Sequence, residues 1–240
     1  MTRRDGRRFD EPRPVTLLPG YLEYAEGSCL ASAGNTRVLC AASFETRVPP
    51  FLVGSGRGWV TAEYGMLPRS THQRTTRETD KPRGRTQEIK RLIGRALRAI
   101  CDLEALGERQ LIVDCDVIQA DGGTRTLALT GGFVALKLAV ENLLGRGLIP
   151  RSPIIEHVAA TSIGIVDGAV LLDLAYDEDS RAETDMNLVM TESGRLVEVQ
   201  ATAEGMPFTW EQFGRMHAVG AAAVERLIQL QHEAIAAAGR

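Results

Sequence analysis

The 240-residue sequence has little cysteine, and none of it occurs in Cys-x-x-Cys spacing. Its four cysteines are scattered along the chain, at Cys29, Cys40, Cys101 and Cys115. This distribution argues against a zinc-binding or disulfide scaffold. It favours buried, reduced thiols in a cytoplasmic protein.

Long apolar runs are also missing. No stretch of 18 consecutive apolar residues occurs, so we expect no membrane helix. The start of the chain is basic, but no apolar segment follows it, so we expect no signal peptide. The four histidines show no metal-ligand spacing, and we expect each to be structural or exposed: His72, His157, His217 and His232.

Charge is distributed unevenly along the chain. Residues 1–98 carry 18 Lys and Arg against 10 Asp and Glu, whereas residues 99–240 carry 10 against 21. A basic half suits a polyanion, and a carboxylate-rich half suits a divalent metal ion. Two solvated faces, or a head-to-tail contact between subunits, would explain the same asymmetry.

Hydrophobic periodicity predicts strands, helix, strand, helix, strands and helix, in that order. The hairpins within this order favour mixed or antiparallel sheets, and therefore an α+β fold with α/β-type layers. We expect one domain over residues 1–240, with an extended arm at 1–14, a first half at 15–149 and a second half at 150–240. The expected elements are strands within 15–44 around a Gly34-Asn35 turn, a strand at 59–64, a helix at 87–106, a strand at 110–119, a helix at 125–144, hairpins around Asp167-Gly168 and Ser193-Gly194, and a helix at 210–238.

A glycine turn, Asp121-Gly122-Gly123-Thr124-Arg125-Thr126, joins the strand at 110–119 to the following helix. Glycines permit positive φ, and a helix start offers unpaired N–H donors that suit a phosphate. Thr124 adds a hydroxyl, and Arg125 adds a planar fork of donors. Arg85 is a second candidate ligand. A plain structural turn, with Arg85 paired to a surface carboxylate, is the alternative.

An acidic segment, residues 177–185, has five carboxylates in nine residues. Two of them, Asp179 and Asp185, lie where both side chains could face one site and hold Mg²⁺ or Mn²⁺. The glycine and glutamate of an EF-hand loop are missing. A solvated acidic loop is the alternative.

Spaced arginines form a third candidate site. Arg69, Arg74 and Arg77 stand among Ser and Thr in a segment without clear periodicity. Such arginines suit contacts to a nucleic-acid backbone, which position a strand without reading its sequence. A salt-bridged loop between subunits is the alternative.

Taken together, several motifs make the chain resemble the bacterial ribonuclease PH family, in order from residue 3 to about 217. They are Arg4-Asp5-Gly6-Arg7, Gly58-Trp59-Val60-Thr61-Ala62-Glu63-Tyr64-Gly65-Met66-Leu67-Pro68, Gly84-Arg85-Thr86-Gln87-Glu88-Ile89, Cys115 to Thr126, Asp185-Met186-Asn187, Glu198-Val199-Gln200 and Thr202-Ala203-Glu204-Gly205.

The resemblance implies a fold similar to ribosomal protein S5 domain 2, a βαβα layer of sheet and helices. It implies a phosphate-dependent nucleotidyltransferase that shortens the 3′ ends of tRNA precursors, with rRNA as a further substrate, and releases nucleoside diphosphates. The reverse reaction adds nucleotides. It also implies a cytoplasmic homohexamer, a trimer of dimers, with RNA as partner and neither DNA nor membrane.

By the same resemblance, Arg85, Gly123, Thr124 and Arg125 bind the attacking phosphate, and Asp179 and Asp185 are catalytic and hold Mg²⁺. Arg69, Arg74 and Arg77 guide RNA. The chain departs from the family pattern at Leu127-Ala128-Leu129, Ala175 and Ala201. A non-catalytic RNA-binding ring subunit and a metal-dependent hydrolytic nuclease are the rival functions.

Overall fold

The structure, a computed structural model, describes residues 3–79 and 83–239. Within them, nine strands and five α-helices follow one another, with a 3₁₀ turn at Pro50–Leu52. The elements are β1 Val15–Pro19, β2 Gly27–Ala33, β3 Thr36–Glu45, β4 Trp59–Met66, α1 Gly84–Ala99, α2 Leu103–Leu106, β5 Gln110–Gln119, α3 Thr124–Gly145, β6 Val158–Val166, β7 Ala169–Leu172, α4 Tyr176–Asp179, β8 Thr184–Thr191, β9 Leu196–Ala203 and α5 Trp210–Ala238.

The first sheet has the strand order β1-β2-β3-β5-β4. All its pairs are antiparallel except β4 and β5, which run parallel. Ala33 pairs with Thr36 across the Gly34-Asn35 turn, which confirms the predicted hairpin. Residues 20–26 form a loop between β1 and β2, so the prediction of strand structure there was wrong.

The second sheet has the order β7-β6-β8-β9 and is antiparallel throughout. Its two hairpins turn at Asp167-Gly168 and Ser193-Gly194, as predicted. One mixed and one antiparallel sheet, each packed against helices, confirm the predicted α+β class.

Helix α3 lies at the centre of the fold, in contact with β2, β3 and β5 of the first sheet and β6 of the second. Its small residues permit close packing, because a Cβ on Gly131 would lie 2.6 Å from the Cβ of Ala31. By length and composition α3 could cross a membrane, although most of it is buried inside this chain. The sequence predicted this helix at 125–144, and polar residues such as Thr130 and Lys137 interrupt its apolar run.

The closing helix α5 covers the second sheet and touches β1 and α3. Its bounds and its capping box were predicted correctly. The backbone amide of Gln212 donates to the Thr209 hydroxyl at 3.2 Å, and the backbone amide of Thr209 donates to the Gln212 side-chain oxygen at 2.8 Å.

Two predicted elements differ from the structure. The helix expected to continue to residue 106 ends at Ala99, because the chain beyond it pairs with residues 153–155 and restarts as α2 under the cap of Asp102. The sequence pattern after the Asp167-Gly168 turn predicts a strand at 169–176, but β7 ends at Leu172. Asp173 follows with a positive φ of 52°, and the acidic segment begins as the short helix α4 rather than a loop.

Candidate active site

A cleft of about 490 Å³ opens where the first turns of α1 and α3 face the second sheet and the end of α4. It gathers residues from both halves of the chain. Its polar and charged lining residues are Arg85, Glu88, Thr124, Arg125, Ser162, Asp179, Ser180, Asp185, Asn187, Gln200, Thr202 and Glu204. The structure therefore brings the glycine turn, Arg85 and the acidic pair to one place.

The glycine turn forms one wall of this cleft. Gly122 and Gly123 have φ of 76° and 63°, in the left-handed region that favours glycine. A Cβ on Gly122 would lie 2.3 Å from the carbonyl oxygen of Leu174, so the turn also packs tightly against the segment that leads to α4. The turn thus serves both as a helix start and as a contact between the two halves.

Hydrogen bonds with Thr36 and Arg13 hold the glycine turn in place. The Thr36 hydroxyl donates to the Gly122 carbonyl at 2.7 Å and accepts from the Asp121 amide at 3.0 Å. The Arg13 guanidinium donates to the Asp121 carbonyl. These bonds hold the backbone so that α3 begins at Thr124, where the first amides of a helix have no partner within it.

Thr124 is buried at the start of α3. Its hydroxyl oxygen accepts a hydrogen bond from the Tyr64 phenol at 2.9 Å, which leaves the Thr124 proton free to donate. Burial raises the pKa of Tyr64, so the phenol keeps its proton and remains a donor. Tyr64 therefore sets the direction in which Thr124 donates.

Arg125 projects from the first turn of α3, with 14% of its side chain exposed. Its guanidinium donates to the Glu88 carboxylate at 3.1 Å and to the Gln200 side-chain oxygen at 2.9 Å. Gln200 in turn donates to Glu88 at 2.8 Å. This last bond, together with the charge of Arg125, lowers the pKa of Glu88, so the carboxylate stays ionised.

Arg85 stands in the first turn of α1 at the exposed edge of the cleft. Across residues 3–79 and 83–239 it makes no ion pair, contrary to the alternative of a partnership with a surface carboxylate. Its charge adds to the lowering of the Glu88 pKa and offsets part of the rise in the Asp179 pKa. Arg85 is thus available for an anion.

The acidic pair lies across the cleft from these arginines. Asp179 ends α4, and Asp185 is the second residue of β8. Asp179 remains accessible at the cleft, yet desolvation by its walls and repulsion from Asp185 raise its pKa. Two close carboxylates that destabilise each other's charge are a donor set that suits a hard divalent cation.

The second sheet adds a polar floor that sequence reasoning missed. Ser162 pairs with Asn187, Asn187 with Gln200, and Asp185 with Thr202, so these side chains share one face of neighbouring strands. The Ser162 hydroxyl is buried and makes no hydrogen bond within the described part of the chain. A buried unpaired hydroxyl is costly, which favours a polar ligand at this point. Alternation along β8 was the signal that could have revealed Asn187.

The extended arm was predicted at residues 1–14, of which residues 1–2 lie outside the described part of the chain. Residues 3–14 fold back against the second half of the chain. The Arg3 guanidinium donates to both oxygens of Glu178, at 2.8 and 2.7 Å. The Arg13 guanidinium likewise donates to both carboxylate oxygens of Asp173, at 2.8 and 2.6 Å. These ion pairs anchor the segment that carries Asp179. They could not be predicted from local pattern, because the partners lie over 150 residues apart.

A larger cavity of about 780 Å³ lies behind the glycine turn, between the arm, α3 and α5. Its main charged groups, Arg13, Asp173 and Glu178, are already paired with one another or with neighbouring arginines. Among the described residues, the smaller cleft holds a guanidinium without an ion pair, that of Arg85, and two carboxylates that repel each other. It is therefore the better candidate for chemistry.

The three arginines predicted to guide RNA lie outside the cleft, in residues 67–79, which form neither helix nor strand. Arg69, Arg74 and Arg77 are all exposed. The loop is nevertheless tied to the site, because the Ala120 amide donates to the Ser70 carbonyl at 2.8 Å just before the glycine turn. The loop thus begins beside the cleft and extends into solvent.

Comparison with known proteins identifies relatives over nearly the whole chain. The models of domains 1 and 2 of the 3′ exoribonuclease family match residues 11–140 and 157–223. The ribonuclease PH of Methylobacterium radiotolerans is 59% identical over 96% of this chain and 98% of its own length. That of Moorella thermoacetica is 54% identical over 98% of this chain and 95% of its own length.

Solved structures share the fold at lower identity. Rice (Oryza sativa) Rrp46 has a TM-score of 0.79 at 20% identity, over 97% of this chain and 100% of its own. A chain of the Archaeoglobus fulgidus exosome with RNA bound to the active site also has a TM-score of 0.79, at 23% identity, over 94% of this chain and 91% of its own. The family models and the two bacterial relatives together show that this chain belongs to the 3′ exoribonuclease family.

Proposed function

We propose that this protein shortens the 3′ ends of tRNA precursors, and of rRNA, by phosphorolysis. Inorganic phosphate is the nucleophile and a nucleoside diphosphate is the product. The protein is thus a phosphate-dependent nucleotidyltransferase, and in reverse it adds nucleotides from nucleoside diphosphates. The observation that supports this most strongly is a single cleft with donors for an anion on one wall and a carboxylate pair on the other.

The phosphate site is built from Arg85, Gly123, Thr124 and Arg125. Two guanidinium groups supply charge-assisted hydrogen bonds, and the Thr124 hydroxyl and the first amides of α3 add neutral donors. Such a set fits the several oxygens of a phosphate. Because Arg125 already contacts Glu88 and Gln200, its position is fixed before phosphate arrives, and little ordering entropy is lost on binding.

The acidic pair would hold Mg²⁺, or Mn²⁺, through Asp179 and Asp185. When bound, the ion would neutralise charge on the phosphoryl group in transfer. Asp179 and Asp185 fit such an ion, because Mg²⁺ and Mn²⁺ both take carboxylate oxygens as ligands and keep several bound waters. The unpaired Ser162 hydroxyl lies on the same floor and is available to the substrate.

The reaction itself needs no protein nucleophile. An oxygen of hydrogen phosphate attacks the terminal phosphodiester, and the bond to the preceding 3′ oxygen breaks. The proton carried by the phosphate balances the new 3′ hydroxyl, and the last nucleotide leaves as a diphosphate. The protein contributes alignment of two anions and neutralisation of their charge.

RNA would approach along the loop that carries Arg69, Arg74 and Arg77. Exposed arginines contact backbone phosphates without reading sequence, which suits an enzyme that removes nucleotides one after another. This loop begins next to the glycine turn, so an RNA strand bound to the loop would have its 3′ end near the cleft. DNA and membranes are not expected partners, and we expect the protein in the cytoplasm.

We also infer a homohexamer, arranged as a trimer of dimers. Several large apolar side chains are exposed on the isolated chain, among them Tyr24 at 95% and Trp210 at 87%. We expect contacts between subunits to cover some of these side chains. A mass near six times 26.1 kDa in light scattering supports the hexamer, and a monomer mass contradicts it.

A phosphate-omission assay separates the proposed function from its rivals. A 3′-extended tRNA is incubated with the protein and Mg²⁺, with and without inorganic phosphate. Phosphorolysis predicts shortening only with phosphate. Equal shortening in both reactions indicates a hydrolytic nuclease, and binding without shortening indicates a non-catalytic ring subunit.

A further inference from the structure

A second cluster of metal-type ligands lies at the opposite end of the second sheet from the cleft. His157 precedes β6, Glu192 follows β8 and His232 lies on α5. One ligand atom from each lies within 4.8 Å of the other two. Asp185 pairs with Gly164, seven residues along β6 from His157, which places the two sites roughly 20 Å apart.

The backbone fixes two of these residues to each other. The strands β6 and β8 pair Val158 with Thr191, and the Glu192 amide donates to the His157 carbonyl at 2.9 Å. His157 and Glu192 are thus neighbours at the end of a ladder. The third residue, His232, comes from the helix that covers this sheet.

A buried glutamine sets the tautomer of His157. The Gln231 side chain is fully buried, and its amide nitrogen donates to the carbonyls of Thr130 and Val158, at 3.0 and 2.9 Å. Its oxygen must therefore be the atom that faces Nδ1 of His157 at 3.3 Å. Nδ1 carries the proton and donates, so Nε2 keeps a free lone pair.

This arrangement is the one that metal-binding histidines use. A ligating imidazole normally donates its other N–H to a fixed acceptor, which orients the ring and makes the ligating nitrogen more basic.

The other two ligands are open to solvent. The side chains of His232 and Glu192 are 51% and 45% exposed, and Nε2 of His232 lies 2.8 Å from the Glu192 carboxylate. The imidazole rings of His157 and His232 stack on each other, and their centroids lie 3.8 Å apart. Because His232 is half-exposed on a helix surface, it can turn out of the stack and direct a nitrogen toward the other two ligands.

We propose that His157, Glu192 and His232 form a binding site for a zinc-type transition-metal cation, separate from the carboxylate pair in the cleft. Two imidazoles and one carboxylate are a donor set used for Zn²⁺, with water at the fourth position. Mg²⁺ prefers oxygen ligands and does not compete well for imidazole nitrogens. A cation here would join α5 to the ends of β6 and β8 and so hold the closing helix on the second sheet.

Binding of Co²⁺ to the metal-stripped full-length protein tests this site directly, because visible absorption reports the ligand field. In excess Mg²⁺, which occupies the carboxylate pair in the cleft, we expect one saturable equivalent of Co²⁺ that Zn²⁺ displaces. His232→Ala and Glu192→Gln should each weaken this binding on the order of 10- to 100-fold. Both residues are exposed, so circular dichroism should show an unchanged fold for both variants.

Two controls make the result specific. His217→Ala removes a histidine from the same helix but outside the cluster, and should leave Co²⁺ binding unchanged. Asp185→Asn, which alters the cleft, should also leave it unchanged. The proposal is overturned if wild-type protein shows no saturable binding below millimolar Co²⁺, or if His232→Ala binds as tightly as wild type.

Discussion

Arg125 and Glu88 form an ion pair of 3.1 Å at the cleft, and Gln200 hydrogen-bonds to both partners. The guanidinium that would bind phosphate is therefore held by a carboxylate on α1 and an amide on β9. Phosphate meets an arginine whose side chain is already ordered and largely shielded from water, where charge-assisted bonds are strong.

Replacing Arg125 should separate phosphate use from RNA binding. Arg125→Ala removes the shielded fork of donors and should abolish phosphorolysis. RNA affinity should stay largely intact, because we assign RNA contacts to the exposed loop at 67–79. Filter binding and a phosphorolysis assay on the same preparation measure the two effects. An equal loss of RNA affinity would make Arg125 an RNA contact.

We expect Gln200 to affect phosphate binding through its hydrogen bonds to Arg125 and Glu88. Gln200→Ala removes its two hydrogen bonds to charged groups, and such a bond is worth about 1.5–3 kcal/mol. We expect kcat/KM for phosphate to fall at least about tenfold, with the loss mainly in KM and with RNA affinity unchanged. A matched control is Thr209→Ala, which removes a helix cap away from the cleft. If phosphate kinetics do not change, Arg125 needs no support from Gln200.

Asp185 should be required for the metal ion. Asp185→Asn keeps the size of the side chain but removes one of two cation ligands, so activity should end or need far more Mg²⁺. Asp177→Asn is the control, since Asp177 lies in the same acidic segment and pairs with exposed Arg4. Activity measured across a Mg²⁺ titration decides the point. A variant as active as wild type at low Mg²⁺ would exclude Asp185 from the metal site.

The acid limb of the pH–activity profile should report Asp179. Desolvation and Asp185 raise its pKa above the ordinary aspartate value of 3.8, and a protonated Asp179 cannot ligate Mg²⁺. Activity should therefore fall, as pH decreases, at a higher pH than an ordinary aspartate would produce. Raising Mg²⁺ should move this limb to lower pH, because the ion competes with the proton. A limb that does not respond to Mg²⁺ would contradict the assignment.

The Arg13–Asp173 pair should be a large contributor to stability. Burial alone would raise the pKa of Asp173, but the hydrogen bonds and charge of Arg13 outweigh it and hold the pKa below its usual value. Asp173→Asn leaves Arg13 buried without its counter-charge, and should lower the free energy of unfolding by about 3–5 kcal/mol. Asp10→Asn, which breaks an exposed pair with Arg8, should leave it almost unchanged.

The sign of the pH effect follows from this lowered pKa. The stabilisation from Asp173 is fully present above the unfolded aspartate pKa of about 3.9, and it is lost as pH falls below that value toward the folded pKa. Wild-type stability should thus fall more steeply than that of Asp173→Asn in this acidic range. Denaturant unfolding at several pH values measures the difference, and parallel curves would contradict the role of the pair.

Local sequence pattern was enough to predict the strands and helices that have strong hydrophobic periodicity. The bounds of β5 and α5 were correct, because alternation and a capping box each act within a few residues. The prediction that the first helix continues beyond Ala99 was wrong, because the end of that helix is not set by local pattern. Its end depends on pairing with residues 153–155, a contact about fifty residues away that no local pattern contains.

The same distinction applies to the site. Arg85, Thr124, Arg125, Asp179 and Asp185 were predicted, and the structure brings them into one cleft. The residues that hold them, such as Arg13 with Asp173, are joined by ion pairs between distant parts of the chain. Such pairs depend on the tertiary fold, so a single sequence does not reveal them. His157 and His232, each expected to be structural or exposed, lie in one cluster that a single sequence does not reveal for the same reason.

The fate of labelled phosphate tests the central claim most directly. The protein is incubated with unlabelled 3′-extended tRNA, Mg²⁺ and ³²P-labelled inorganic phosphate, and the nucleotide products are separated. Phosphorolysis predicts that the label appears as the β-phosphate of nucleoside diphosphates, one for each nucleotide removed. Shortened RNA accompanied by unlabelled nucleoside monophosphates would contradict it.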